Sequence, residues 1–371
     1  MNLLSPFGWL YGRAANARNA LYDRGVFTSH SLGAKAISIG NITVGGTGKT
    51  PLVALVAEIL AENGDKICIL TRGYGRENPR ERVLVSDGES VLVDAKTGGD
   101  EPVELAHKLL GNAVVIADAD RVAAAKWALE KFGVSAFVLD DGFQHRRAKR
   151  DLDIVCIDAT VPFGGGNVLP AGQLREPLEN LKRADAIVIT RANFAENIED
   201  LKSQISDLNR EAPLFLLENS IAGLQTLEDF HAKTQSSQSA AGRVTSEIGW
   251  ERLRAEGDPG NVDEEVRLSA FCALGNSDSF FYHLDAEFDQ ESMDEFDLSM
   301  IKKFPDHHIY TQMDIDALEK QARQSTIDAF LTTAKDAVKL KDLKFEIPCY
   351  VVEIEPVISD ADGFRTLITS S

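Results

Sequence analysis

The chain has little cysteine, no excess of positive charge and no long apolar run, and each shortage removes a class of explanation. Its four cysteines, Cys68, Cys156, Cys272 and Cys349, lie far apart, each within or beside an apolar stretch. The close pairs that mark a disulfide framework or a metal site are missing, so buried reduced thiols in a reducing, cytoplasmic setting are the expectation. Acids outnumber bases 58 to 39, for a formal net charge of −19. General nucleic-acid binding needs surplus Lys and Arg against phosphate backbones, so no nucleic-acid partner is expected. No stretch approaches the ~20 apolar residues of a spanning helix, and no internal repeat is visible. What is present is ordinary globular composition, 44% hydrophobic and 26% charged over 371 residues, enough for about two domains.

Charge is uneven. Residues 1–35 carry Arg13, Arg18, Arg24 and Lys35 against Asp23, together with Leu3, Leu4, Phe7, Trp9, Leu10 and Tyr11. Such a basic amphipathic element suits a membrane surface, with apolar side chains at the acyl boundary and arginines near anionic head groups. A helix packed on its own domain is the alternative. Ser5, Pro6 and Arg13 interrupt the apolar stretch, which argues against a secretory signal.

Over residues 36–210, short apolar runs (36–39, 66–71, 113–117, 136–140, 153–157, 186–190) alternate with helical patterns (52–63, 102–110, 121–132, 176–183). That alternation predicts an α/β fold, a mostly parallel sheet with helices on both faces and its ligand at the carboxyl ends of the strands. Residues 211–371 read as a smaller second α/β lobe, with strands at 266–274, 329–333 and 349–354. The polar stretch 219–266 reads as a linker or surface insertion.

Between the first strand and first helix stands Thr43-Val44-Gly45-Gly46-Thr47-Gly48-Lys49-Thr50. In a phosphate-binding loop, glycines let backbone N–H groups point at phosphate oxygens, the lysine reaches the β- and γ-phosphates, and the hydroxyl after it ligates Mg²⁺. The usual opening glycine is replaced by Thr43. Downstream, the strand Ala136 to Asp140 ends in Asp140-Asp141, where a carboxylate is placed to bind Mg²⁺.

Other groups of residues admit two readings each. Gly142-Phe143-Gln144-His145-Arg146-Arg147 suits a loop handling nucleotide or a phosphorylated acceptor, or a solvated basic turn. Gly98-Gly99-Asp100-Glu101-Pro102 is either an ordinary helix cap or a proton acceptor beside a metal-holding carboxylate. Phe304-Pro305-Asp306-His307-His308 offers a histidine partner for a carboxylate or a satisfied surface histidine, and no second cluster supports zinc. Arg175, in the rigid Leu169 to Pro177 loop, has the chemistry to clamp a phosphate.

Guanine-specific switches carry Asn/Thr-Lys-x-Asp late in the sheet; here Arg191-Ala192-Asn193 follows Thr190. Partitioning-type ATPases carry a lysine just before the double glycine, where this chain has Val44. A kinase fits better. The combined motifs, Ile39 to Pro51, Thr71-Arg72-Gly73-Tyr74-Gly75, Gly99 to Pro102, Asp118-Ala119-Asp120-Arg121, Asp140 to His145, Leu169 to Pro177, Phe304 to His308 and Lys335 to Lys339, resemble those of the tetraacyldisaccharide 4′-kinases. Ala273-Leu274-Gly275-Asn276-Ser277 and Thr333-Ala334-Lys335-Asp336 depart from that family's pattern.

The resemblance implies a P-loop kinase domain that transfers the γ-phosphate of ATP, with Mg²⁺, to the 4′-hydroxyl of an acylated glucosamine disaccharide 1-phosphate, giving lipid IVA. It also implies peripheral attachment at the cytoplasmic face of a bacterial inner membrane. By the same analogy Asp100 is the catalytic base with His307 as partner, and Lys49 stabilises the phosphates. Thr43, Val44, Gly45, Gly46, Thr47, Gly48, Lys49 and Thr50 hold the nucleotide. Thr50, Glu101, Asp140 and Asp141 serve Mg²⁺, and Asn41, Tyr74, Arg121, Gln144, His145 and Arg175 contact substrate or nucleotide. The rival is a non-enzymatic or regulatory P-loop module that binds nucleotide without a lipid acceptor.

Overall fold

Alternating residues of the same strands face two different helical layers, and this fixes the architecture. The computed structural model describes residues 4–232, 253, 265–275, 277–289, 296–306 and 308–370. Helix α1 (Ser5–Asp23) precedes β1 (Lys35–Asn41), α2 (Lys49–Glu62), β2 (Ile67–Thr71), β3 (Val83–Ser86), α3 (Ala95–Gly98), α4 (Asp100–Lys108), β4 (Ala113–Ala117), α5 (Arg121–Phe132) and β5 (Ala136–Asp140). Ile37, Ile39, Ile67, Ile69 and Val138 pack with Leu52, Val53 and Val56 of α2 and with α4. Their neighbours Ala36, Cys68, Leu70, Phe137 and Leu139 pack with Ala124, Ala125 and Ala128 of α5 on the opposite face. Strands covered on both sides lose the apolar/polar alternation of a half-exposed sheet, which is why they read as unbroken apolar runs.

The chain continues through β6 (Leu152–Asp158), β7 (Ala186–Thr190), α6 (Ile198–Leu208), β8 (Leu214–Thr226), α7 (Leu227–Ala232), β9 (Val266–Cys272), α8 (Ser277–Phe288), β10 (Phe296–Lys303), α9 (Gln312–Gln324), β11 (Ala329–Thr333), α10 (Ala334–Ala337), β12 (Cys349–Ile358) and α11 (Ala361–Ser370). All the strands among the described residues belong to one 12-stranded sheet, ordered β10-β9-β11-β12-β8-β7-β6-β1-β5-β2-β4-β3. Its pairs are parallel except β12 with β8 and β3 with β4. Strand β1 runs between β5 and β6, so the loop that leaves its carboxyl end opens at the middle of the sheet.

Three differences from the sequence reading have physical reasons. Residues 219–226, expected to begin a linker, are the second part of β8, whose first residues pair with β7 and whose remainder pairs antiparallel with β12. Polar side chains such as Glu218 and Asn219 are tolerated there because the backbone ladder, not an apolar face, holds the strand. Residues 227–232 are helix, and residues 233–252 and 254–264 lie outside the described residues. The helical pattern at 176–183 forms only a short 3₁₀ segment, Leu178–Arg183, behind Pro177. All four cysteines are buried free thiols.

Helix α1 is turned apolar side out. Its buried residues are Gly8, Gly12 and Asn19, while Phe7, Trp9 and Leu10 are exposed by 61, 66 and 61%. A Cβ at Gly8 would stand 2.8 Å from the Val168 carbonyl oxygen and 2.9 Å from Ala171 Cβ, so glycine is what lets the helix seat on the 168–177 loop.

Candidate active site

The β1–α2 loop is held from beneath by residues of neighbouring strands. Asn41 Nδ2 donates to Thr47 Oγ1 at 2.9 Å, and Thr190 Oγ1, at the end of β7, donates to the Thr47 carbonyl at 2.7 Å. Arg191 Nη2 donates to the Gly46 carbonyl at 3.0 Å while its Nη1 pairs with Asp158 at the end of β6. The Val44 N–H donates to the Gln173 carbonyl at 2.8 Å, joining the loop to the Pro- and Gly-rich segment. Above this floor the Gly45 and Gly46 positions are open, with no described atom within 4 Å of where a Cβ would stand. Thr190, Arg191 and Asp158 were not singled out from sequence as site residues. The available signal was that each falls at or directly after a strand end.

Adjacent to β1, strand β5 delivers the acidic pair. Asp140 is 5% exposed and accepts from Thr71 Oγ1 at 3.0 Å. Burial, with Glu101 and Asp141 adding repulsion against the attraction of Lys49, pushes its carboxyl up to about 6. Asp141 takes a backbone φ of 54°, a left-handed conformation unusual outside glycine, and thereby turns toward Lys49, whose Nζ lies 3.7 Å away. Arg175 Nη1 donates to both oxygens of Asp141, at 2.8 and 2.7 Å. Burial works to raise the Asp141 pKa, but Lys49, Arg175 and Arg121 outweigh it and hold the carboxyl below its usual range.

Helix α4 begins at Asp100, not after it. Its cap is Gly99, at φ 94°, where a Cβ would stand 2.9 Å from the Tyr74 carbonyl oxygen. Of the two readings of this stretch the ordinary cap falls away: Gly99 is the cap, and Asp100 and Glu101 lie in the first turn with lysines beside them. Lys339 Nζ is 3.3 Å from Asp100 Oδ2, and Lys335 Nζ is 3.7 Å from Glu101 Oε1 and 3.6 Å from Asp306 Oδ1. Burial alone would lower the Lys335 pKa; Glu101, Asp306, Glu104 and Asp100 reverse the sign and raise it. Sequence reasoning quoted Lys335 and Lys339 only as matching residues and gave them no role.

Gln144 Nε2 donates to the Asn41 carbonyl at 2.8 Å and to Glu176 Oε1 at 3.0 Å. Glu176, 3% exposed, also accepts from Asn19 of α1 and from Arg183, so the outward-facing helix and the phosphate loop share a polar floor. Arg121 is buried at the start of α5, in the field of Asp140 and Asp141, and its Nε has no hydrogen-bond partner among the described residues. The same holds for His145 Nε2; burial and the charges of Arg121 and Arg150 push this imidazole down to about 4. Tyr74 is half exposed, with Arg72 5.2 Å above its ring. The expected histidine partner, His307, lies outside the described residues. Its neighbour His308 pairs with Asp314 at 3.3 Å and stacks on Phe304.

The donor chemistry suits a hard cation held jointly with phosphate. Among the described residues no group of three or more His, Cys, Asp or Glu side chains forms a self-sufficient metal cage. Mg²⁺ is typically bound by one or two carboxylates, waters and phosphate oxygens. Asp140, buried and raised in pKa, is a carboxylate whose ionised form would gain from a nearby cation, and the Glu101 and Asp141 carboxylates act on it from close by.

A phosphate loop at the centre of a parallel sheet, with acids at the end of the adjoining strand, marks this protein as P-loop NTPase-type and equipped to move a phosphoryl group. The family model described as LpxK, tetraacyldisaccharide-1-P 4′-kinase, matches residues 1–371. The tetraacyldisaccharide 4′-kinase of Halothermothrix orenii is 35% identical over 370 residues, covering 95% of this chain and 88% of the relative. That of Geobacter metallireducens is 36% identical over 367 residues, covering 99% and 96%. The crystal structure of LpxK from Aquifex aeolicus in complex with ATP superposes with a TM-score of 0.74 at 28% identity, over 99% of this chain and 98% of that one. The chain belongs to the tetraacyldisaccharide 4′-kinase family. It is an enzyme of lipid A biosynthesis, a kinase acting on the 4′ position of the acylated disaccharide 1-phosphate, and the regulatory-module alternative is not favoured.

Proposed function

We propose that the donor is ATP with Mg²⁺ and that the reaction is in-line transfer of the γ-phosphoryl to the 4′-hydroxyl of tetraacyldisaccharide 1-phosphate. The 4′ oxygen forms its bond to the γ-phosphorus as the bond to the β-phosphate bridging oxygen breaks. ADP leaves, and the hydroxyl proton passes to the Asp100 carboxylate. Lys49 and the N–H groups of residues 44–50 stabilise the charge on the phosphates, and Arg175 grips the transferring group. Mg²⁺, held by Thr50, Glu101, Asp140 and Asp141, would neutralise phosphate oxygen charge. Asn41 and Gln144 brace the phosphate loop, and Tyr74, Arg121 and His145 face the acceptor. His307 serves as the partner of Asp100, and residues 36–210 form the kinase domain, with residues 211–371 as a smaller second lobe.

The observation that carries this reading is the 3.7 Å approach of Lys49 to Asp141 across neighbouring strand ends, in the field of Asp140 and Arg121. The membrane side is supported by α1. Leu4, Phe7, Leu10, Tyr11, Ala14 and Pro170 line an open apolar groove of about 540 Å³, and no described helix is long and apolar enough to cross a bilayer. An acceptor with several acyl chains stays in the membrane, since each buried CH₂ is worth roughly 0.8 kcal/mol. The enzyme therefore works peripherally, at the cytoplasmic face where ATP is present.

The test is transfer of labelled γ-phosphate from ATP to tetraacyldisaccharide 1-phosphate in detergent micelles, with and without Mg²⁺, by wild type and Asp100→Ala. Mg²⁺-dependent label in the lipid that vanishes in the variant is expected. Equal labelling by the variant would overturn the assignment of the base, and equal labelling without divalent cation would overturn that of Mg²⁺.

A further inference from the structure

Two lysines four residues apart, on and just after the one-turn helix α10, reach out of the C-terminal half of the chain to the two acids that open α4. Thr333 caps this turn, its Oγ1 accepting from the Asp336 N–H at 3.1 Å, and Lys335 and Lys339 are thereby fixed on the same side. Lys335 balances Glu101 and Asp306 at a partly open position. Lys339 is different. Its side chain is 6% exposed, and its ammonium donates to Asp336 Oδ1 at 3.4 Å and to the His308 carbonyl at 3.4 Å, while Asp100 Oδ2 stands 3.3 Å away as its ion-pair partner. The Tyr310 ring lies under the same ammonium at 5.9 Å.

Asp336 is itself bonded at both carboxylate oxygens. It has no exposed surface, and its other oxygen accepts from the Ala273 N–H at 3.0 Å and Thr333 Oγ1 at 2.8 Å, at the ends of β9 and β11. The chain of contacts thus runs from the sheet through Asp336 and Lys339 to Asp100, with every link buried or nearly so. A carboxylate that must accept a proton in one direction needs its second oxygen held, and an ammonium fixed by Asp336 and the His308 carbonyl sets a positive charge beside that oxygen.

We propose that Lys339, anchored on Asp336, is a positioning residue for phosphoryl transfer that holds the Asp100 carboxylate in the orientation from which it accepts the hydroxyl proton. The inference rests on the reading of Asp100 as the base. It assigns the C-terminal half a part in catalysis separate from that of His307.

Removing Lys339 alone would leave Asp336 as a buried uncompensated charge, so the informative variant is the paired Lys339→Met/Asp336→Asn. Melting temperature, kcat and KM for ATP are measured for this variant, for Asp100→Asn, and for the triple combination. The paired variant is expected to melt cooperatively and to lose at least tenfold in kcat, with KM for ATP within twofold of wild type. On the Asp100→Asn background the same pair is expected to change residual turnover less than twofold. Undiminished kcat in the paired variant, loss of its cooperative melt, or an equal loss on both backgrounds would overturn the proposal. An Asp100→Asn enzyme with wild-type turnover would instead overturn the reading of Asp100 as base.

Discussion

Both carboxylate oxygens of Asp141 accept from the same guanidinium nitrogen of Arg175, at 2.8 and 2.7 Å, so an arginine suited to phosphate rests on an acid of the phosphate site. Lys49 approaches the same acid at 3.7 Å. The pair keeps two cations preorganised at the loop without leaving either charge bare, and an incoming polyphosphate competes with Asp141 for both.

Arg175→Ala is therefore expected to lower kcat for phosphate transfer by roughly 10²- to 10³-fold, the range found when one transition-state donor is removed. KM for ATP should rise far less. Steady-state kinetics at saturating lipid check this. A change confined to KM would mean that Arg175 grips ground and transition states alike.

Asp100→Ala and Lys49→Ala should separate. The first removes a proton acceptor and should reduce turnover by roughly 10²- to 10⁴-fold while nucleotide affinity stays near wild type. Lys49→Ala should damage turnover and weaken ATP binding as well. Calorimetric titration with a non-hydrolysable ATP analogue, set beside turnover, distinguishes them. Equal loss of affinity in both variants, with turnover at saturation intact, would refute these roles.

The outward apolar face of α1 predicts membrane affinity that can be removed without touching the site. Phe7→Ser/Trp9→Ser should reduce partition onto anionic phospholipid vesicles at least tenfold, because both rings are more than half exposed on the outward face of the helix. Sedimentation with vesicles reads the partition. Unchanged partition would show that another surface makes the attachment.

His283 predicts a pH dependence of stability. Its ring packs edge-on to Phe194 at 4.3 Å, and burial and then the charge of Arg191 push its pKa down from 6.5 to about 4. Below pH 6.5 the unfolded chain takes up a proton that the folded ring refuses, so stability is lost as pH falls from 6.5 toward 4. His283→Phe should leave the melting temperature at pH 7.5 unchanged or higher, since the buried Nε2 has no partner among the described residues, and should shrink the fall between pH 7.5 and pH 5. Differential scanning fluorimetry at the two pH values measures it.

Strands inside the sheet were legible because they are short and apolar: 113–117, 136–140 and 186–190 coincide with β4, β5 and β7. Strands β3 and β10 were not: both lie at the edges of the sheet, β3 is only four residues long, and β10 carries a polar exposed face. Site residues announced themselves where backbone requirements forced glycine beside charge, as at Gly48-Lys49 and Gly99-Asp100. Arg191 and Lys339 stayed silent because their roles depend on partners far away in sequence, Gly46 and Asp100, and a lone cation carries no sign of its partner. The N-terminal segment reads from sequence as basic and amphipathic, but which side faces out depends on the fit of Gly8 against Val168 and Ala171.

Strand β8 pairs with β7 through residues 214–217 and with β12 through residues 217–226, although β12 is formed by residues 349–358. A nascent chain that has just delivered β8 from the ribosome can dock its first residues at once. The remainder must wait, its N–H and C=O groups unpaired, until more than a hundred further residues have been translated. For that interval the growing molecule carries an open strand edge, the kind of surface on which partly made proteins pair with one another and which chaperones shield.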